Sequence, residues 1–353
     1  MNKGAETKKI VIDVGGADAG PEPIIEGAAR ALTDPDTSFR AVFCGNAGEI
    51  RKKLEGRGVS EDMYETVDTD VYVTNNDSPM CVMGEKEDSS LVLALKALKS
   101  DPDAAAMVSA GNTGAVMIGT IVHLGLIPGL RQPTLATVLP APGGKFICIA
   151  DCGANVDCRS DDMIAFALMG DEFMKCMFSV EHPRIGLLSV GTEIGKGSKR
   201  VLEAYEKIET LPLNFVGNIE GNDMMTDTCD VIVCDGFSGN VILKNSEAVG
   251  KFAGAFAEET IRRCAAEKGE APDEDLIAEL RRSFYRQFDF NSQGGAFFFG
   301  TVKPVVKMHG AANASTAFSC IKQAVALDDK KFTDRLTTAL DGKLPKRKFI
   351  RQQ

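Results

Sequence analysis

The chain predicts an α/β protein with a mostly parallel sheet covered on both faces. Three observations point there. Short β-branched runs alternate with helical patterns from end to end. The turns leaving those runs are repeatedly glycine with neutral polar residues, as in MVSAGNTGAVM at residues 107–117. Residues 104–130 carry no Asp, Glu, Lys or Arg, as a buried strand and the helix packed on it require.

In chain order the strand candidates are residues 9–13, 40–44, 105–109, 146–151, 184–190, 214–217, 231–235 and 305–308. Each is a short apolar run bounded by turn residues, which is strand length. Between them, residues 23–32, 89–99, 161–177, 198–209 and 313–326 carry apolar residues at helical spacing. Residues 249–265 and 276–288 read as a helical pair around residues 267–272. In its second member Leu276, Ile277, Leu280, Phe284, Tyr285 and Phe288 share a face, with Arg281, Arg282 and Arg286 beside it. No repeat or low-complexity linker interrupts this order. Residues 8–341 therefore read as one α/β domain containing the pair within 246–290, followed by a basic tail over 342–353.

With 353 residues the chain can build a large core, and 44% hydrophobic with 25% charged residues is an ordinary globular balance. A net charge of −10 argues against general nucleic-acid binding, which needs a basic face. Ten cysteines lie scattered without a CxxC pair, several inside apolar runs (Cys148, Cys234, Cys320). They read as reduced, mostly buried thiols of a cytoplasmic protein. The apolar core of the first sixteen residues is too short for a signal peptide. Gly111, Asn112, Gly114, His123 and Pro128 break residues 104–130 into a strand, a turn and a helix, not a membrane span.

Ligands of open α/β sheets bind beyond the carboxyl ends of the strands. Five turns there share one character: residues 13–21 (DVGGADAGP), 111–114 (GNTG), 151–155 (DCGAN), 191–198 (GTEIGKGS) and 235–240 (DGFSGN), the last leading to Lys244. Glycine in any one of them serves equally for φ > 0 or close packing. Five at one end of a sheet would line a crevice with N–H donors, the Thr113 and Ser198 hydroxyls, Asn amides and a lysine. That chemistry suits phosphate or a developing oxyanion. No G-x-G-x-x-G, G-x-x-x-x-G-K-[ST] or G-x-S-x-G motif is present. The three histidines are too dispersed for a metal cluster, and no metal or cofactor is expected. His309, ahead of Gly310, is placed to reach the crevice, with a structural histidine as its plainer reading.

The segments SAGNTGAVM, DCGANVDC, GLLSVGTEIGKG, FVGNIEG, CDGFSGNVILK and GGAFFFG…HGAANA occur in the order and spacing of one family. Over about residues 10–326 the chain resembles the PlsX family, the phosphate:acyl-[acyl carrier protein] acyltransferases of bacterial phospholipid synthesis. The resemblance implies a Rossmann-like α/β/α sandwich, related to phosphotransacetylases and to isocitrate/isopropylmalate dehydrogenases. It implies a homodimer associated peripherally with the inner face of the membrane. It also implies transfer of a long acyl chain from acyl carrier protein to inorganic phosphate, the acyl phosphate then serving a glycerol-3-phosphate acyltransferase.

For that reaction Gly111, Asn112, Thr113 and Gly114 are assigned to phosphate. Lys196, beside Gly197, is the cation for phosphate or oxyanion, and Asn240 is the neutral donor to the oxyanion. Asp13 and Asp18 position the first loop, and Asp235 orients Lys244 or Lys196. Gly16, Ser89, Ser90, Ser109 and Asn155 complete the substrate-binding set, with His309 as a further catalytic candidate. A solvated surface lysine is the plain reading of Lys196. The helical pair, with Arg262, Arg263, Arg281, Arg282 and Arg286, reads as a carrier-docking face, a membrane-surface element or a dimer interface. The chain departs from the family where Gly15 and Ala17 replace Met and Gly, where Gly84 replaces an Arg, and at His309-Gly-Ala-Ala312. Two rivals stay open: a phosphotransacetylase-like enzyme using acyl-CoA, and a catalytically weakened acyl- or carrier-binding protein.

Overall fold

The computed structural model describes residues 8–36, 38–288 and 294–344. The side chains of Tyr285, Arg286 and Phe288 and the tail from residue 345 onward lie outside the described residues. Eleven strands pair into one sheet: β1 (Lys9–Asp13), β2 (Arg40–Gly45), β3 (Tyr64–Asp68), β4 (Ala104–Ser109), β5 (Thr134–Ala141), β6 (Lys145–Ala150), β7 (Arg184–Leu188), β8 (Asn214–Ile219), β9 (Val231–Val233), β10 (Ala296–Phe299) and β11 (Val305–Lys307). Their spatial order is β3-β2-β1-β4-β11-β10-β5-β6-β9-β7-β8.

The sheet is mostly parallel, as expected, but its direction reverses in the middle. β10 is antiparallel to β11 and to β5, and β5 is antiparallel to β6. The strands β3, β2, β1, β4 and β11 thus form one parallel block, and β6, β9, β7 and β8 form another of opposite direction. This corrects the expectation that five turns gather at one edge. The turns after β1 and β4 lie at one edge, and those after β6, β7 and β9 lie at the other.

Helices cover both faces: α1 (Glu22–Leu32), α2 (Ala47–Glu55), α3 (Ser90–Ser100), α4 (Thr113–Gly119), α5 (Ser160–Phe178), α6 (Lys199–Ile208), α7 (Gly236–Lys268), α8 (Glu274–Phe288), α9 (Ala314–Asp329) and α10 (Phe332–Leu340). On one face α1, α5, α9 and α10 bury Ile24, Phe166, Ile321 and Leu336 with Ile12 and Val108 of the sheet. On the other α3, α4 and the start of α7 pack Leu91, Val116 and Leu243 with Val11 and Met107. Phe173 of α5 anchors the reversal, its ring 5.0 Å from Phe297, 4.8 Å from Phe299 and 5.6 Å from Phe332. Such aromatic clusters add to the area they bury.

Short polar side chains start many of these helices. Asn46, Asn112, Ser198, Asp235 and Asn313 each accept a backbone N–H from the first turn of the helix that follows. The structure adds three strands and two helices to those expected. β3 is an edge strand of mixed polarity, β5 contains Pro140, and β10 is only four residues, so none shows a clean run. The expected helix over 249–265 is the second half of α7, which begins at Gly236.

Phe173→Ala is expected to lower the unfolding free energy by about 3–5 kcal/mol, because it empties the centre of the aromatic cluster. Urea denaturation measures this, with Val190→Ala as the control. Val190 is 80% exposed, and its truncation should cost less than about 0.5 kcal/mol.

Candidate active site

The first wall of the site is organised by Asp13, the last residue of β1. Its carboxylate is buried and accepts the Ser90 hydroxyl of α3 at 2.6 Å, the Ser109 hydroxyl of β4 at 2.7 Å and the Gly15 N–H at 3.1 Å. Burial pushes its pKa up, and these hydrogen bonds oppose the rise. Ser109 also accepts the Gly111 N–H at 3.1 Å, so the carboxylate reaches the glycine turn through one hydroxyl. The N–H of Gly111 is therefore taken. Among the described residues, no protein acceptor takes the N–H groups of Asn112, Thr113 or Gly114, while Asn112 Oδ1 accepts from Ala115 at 3.1 Å.

The first loop is held across this turn. Asp18 donates its N–H to the Gly310 carbonyl at 2.9 Å and accepts the Asn75 amide at 2.7 Å. Gly16 has φ +75°, and a Cβ there would lie 2.5 Å from the Val73 carbonyl and 3.1 Å from Gly111. Only glycine lets the two loops approach so closely. At Gly15 a Cβ would strike the Tyr72 ring at 2.2 Å and Ser90 Oγ at 2.3 Å. Tyr72 thus fills the room where the family carries a methionine. Gly84 faces open space, and nothing in the structure explains the loss of an arginine there.

The second wall comes from the reversal. A cavity of about 300 Å³ opens between the turns after β1, β4 and β11, the start of β10, the β5 face and α7. Register places Ala296 and Thr137 level with Lys307, because Phe297 pairs with both Val306 and Ala136. Leu135 and Thr137, two residues apart, face the cavity together, beside Cys152. α7 starts at the opposite edge and brings Asn240, Leu243, Lys244 and Glu247 to it. Close approach makes this possible, since a Cβ at Gly239 would lie 1.9 Å from the Asp151 carbonyl. Lys244 Nζ is 3.0 Å from Glu247 Oε2.

His309 follows β11 and lines the cavity, as the sequence suggested. Its Nδ1 accepts the Ala311 N–H at 3.2 Å, which assigns the ring proton to Nε2. Burial, then Lys244 and Lys307, hold its pKa below the usual 6.5, so the ring is neutral at pH 7.

The predicted residues separate into three groups. Asp18, Gly111, Thr113, Asn240, Lys244 and His309 line the cavity. Asp13, Gly16, Ser90 and Ser109 stand behind its wall, Asn112 caps α4, and Gly114 packs against Pro79. Ser89 is buried without a hydrogen-bond partner for its hydroxyl. The remainder lies at the other edge. Asn155 donates its amide to the Asp151 carboxylate at 2.5 Å and to the Pro133 carbonyl at 2.7 Å. Asp235 Oδ1 accepts the Ser238 N–H at 2.7 Å as the cap of α7, and the contacts of Lys244 do not include it. Lys196 and Gly197 belong to the turn between β7 and α6. Lys196 is exposed there, its carbonyl accepting the Ser189 hydroxyl at 3.0 Å, and it does not line the cavity.

Lys307 is the residue the sequence reading passed over. It ends the apolar run Val305–Lys307 and is 7% exposed. A lone lysine closing a buried strand was the available signal. Three arginines of the helical pair are balanced by acids: Arg262 pairs with Glu258 and Glu274, Arg281 with Glu258, and Arg282 with Glu279. All ten cysteines are free and only Cys264 is exposed. Among the described residues no helix is long and apolar enough to cross a membrane.

Comparison with known proteins places the chain. Residues 8–335 match the family model described as fatty acid synthesis protein. The chain belongs to that family, the PlsX family. A relative named phosphate acyltransferase from Caldanaerobacter subterraneus subsp. tengcongensis is 38% identical over 316 residues, covering 90% of this chain and 92% of the relative. One of the same name from Shouchella clausii is 33% identical over 335 residues, covering 95% and 99%. Among solved structures, a Streptococcus pyogenes phosphotransacetylase aligns with a TM-score of 0.63 at 17% identity over 92% of this chain and 94% of its own. The EutD phosphotransacetylase of Staphylococcus aureus aligns at 0.56 with 13% identity over 95% and 94%. At such identities the likeness is one of fold, and the expected α/β/α architecture is the one observed.

Asp13→Ala would leave two hydroxyls and the Gly15 N–H without their shared acceptor. The expected loss is about 3 kcal/mol of unfolding free energy in urea. Asp13→Asn, which keeps one carbonyl oxygen, should lose less.

Proposed function

We propose that the protein transfers an acyl group from the thioester of acyl carrier protein to inorganic phosphate. The observation that carries this reading is the unspent N–H of Thr113 at the start of α4, in a residue that lines one cavity with Gly111, Asn240, Lys244 and His309. Family membership supports it: phosphate acyl transfer needs an anion site beside a set of donors and no covalent nucleophile.

Hydrogen phosphate dianion is itself the nucleophile. Its oxygen attacks the thioester carbonyl carbon, a C–O bond forms and the carbonyl oxygen becomes an oxyanion. The C–S bond then breaks, and the proton of hydrogen phosphate passes to the departing thiolate, giving acyl phosphate and free carrier thiol. The turn N–H groups hold the phosphate in place, which removes most of the entropic cost of the encounter. Asn240 donates to the oxyanion without neutralising the nucleophile. His309, neutral with its proton on Nε2, is a second donor.

Lys196, exposed in the turn after β7 and outside the cavity, stays a candidate for positive charge that only its substitution tests. We place the long-chain donor in the cavity's apolar half, beside Leu135 and Leu243. The acyl phosphate would serve acylation of glycerol 3-phosphate by a membrane enzyme. The exposed Val249, Phe252 and Phe256 of α7 support a peripheral membrane contact or a homodimer interface.

The test follows carrier-thiol release from palmitoyl carrier protein with and without phosphate, beside palmitoyl-CoA. Phosphate-dependent release from the carrier is the expected result. Release from CoA alone would replace the carrier with CoA, and release from neither by a folded protein would leave a binding protein. Asn240→Ala should lower kcat by about 10²-fold. Unimpaired turnover of Lys196→Ala would remove Lys196 from the mechanism.

A further inference from the structure

Lysine is almost never buried without a partner for its charge. Lys307 is 7% exposed, behind the fully buried Val306. Its Nζ donates to the Ala110 carbonyl at 3.4 Å and to the Met308 carbonyl. Among the described residues no carboxylate stands within ion-pair distance of it. The nearest acids are already engaged: both oxygens of Asp13 hold hydroxyls, and Asp18 accepts from Asn75. An ammonium has three donors, so after two carbonyls one N–H remains, and Lys307 lines the cavity. A buried cation with a spare donor, in a chain of net charge −10, is a site awaiting an anion.

We propose that the Lys307 ammonium is the cation that binds the attacking phosphate, in concert with the N–H groups after Gly111. The Ala110 carbonyl joins the two, since it accepts from Lys307 and leads directly into the glycine turn. The proposal rests on the phosphate reading above and identifies the residue that supplies its charge. Holding the ammonium to the wall through carbonyls, not a carboxylate, leaves its charge unneutralised for the incoming dianion.

Binding of this kind is linked to protons. Burial lowers the Lys307 pKa to about 8. The charged and titratable groups facing it are Asp13 from β1, Asp18 from the first loop and Cys320 from α9, together with His309 and, beyond it, the Lys244–Glu247 pair of α7. Burial holds the Cys320 thiol up at about 12, and His309 lies below 6.5, so both are silent near pH 9. A bound dianion favours the charged lysine and raises its pKa. Phosphate binding therefore takes up a proton above pH 8, and phosphate affinity falls as pH rises through 8.

Titration calorimetry of the full chain with inorganic phosphate at pH 9, in buffers of different ionisation enthalpy, measures that proton directly. Uptake of more than about half a proton per phosphate is expected from the native protein. Binding without uptake, or no binding, overturns the proposal without any substitution being made. In Lys307→Gln, with folding checked by its thermal transition, uptake should vanish. The KM for phosphate should rise by about 10- to 100-fold, and that for the acyl donor should hardly move. An unchanged phosphate KM in an active Lys307→Gln enzyme removes Lys307 and leaves the acyl-transfer reading intact. Proton-linked phosphate binding without acyl transfer does the reverse.

Discussion

The antiparallel pair β10 and β5 in the middle of the sheet is the constraint on which the rest of the architecture depends. By turning one block of strands against the other, it separates the carboxyl-end turns onto two edges. Neither edge then holds a complete set of donors. The cavity forms where the blocks meet, and only because α7 starts at one edge and runs towards the other. The packing of Phe173 against Phe297 and Phe299 fixes this reversal from behind. Core packing and site geometry are thus one problem in this protein.

Two buried charges of opposite sign flank the site without meeting. Asp13 is satisfied entirely by hydroxyls and an N–H, and Lys307 by carbonyls. Had they formed an ion pair, each would have neutralised the other, at the desolvation cost such pairs carry. Kept apart, the carboxylate stiffens the glycine turn and the ammonium keeps its field for the cavity.

Much of this was legible in the sequence, because strand and helix periodicity and the glycine turns are local signals. The parallel block around β1 and β4, the capped helices and the turn at Gly111–Gly114 are all of that kind. What escaped was non-local. Strand direction is set by pairing partners, so nothing in the turn at Gly191–Ser198 says that it lies at the far edge from Gly111. The role of Asp235 as a cap was likewise hidden, since caps and ligands use the same residue types. Lys307 was missed because its neighbours define a strand and its burial depends on α9 and β10, remote in sequence. The family resemblance supplied the reaction class that no local pattern carried.

The length of α7 has a mechanical consequence. Its 33 residues make a rod of about 50 Å, and Asn240 is only the fifth, roughly 7 Å from the start. The rod is seated where Gly239 touches the Asp151 carbonyl, so that end acts as its pivot. A sway of about 7 Å at the far tip then displaces Asn240, one residue beyond that contact, by only about 0.2 Å. The helix is a reducing lever: the hairpin end can yield to whatever surface it meets while the amide at the cavity holds its place.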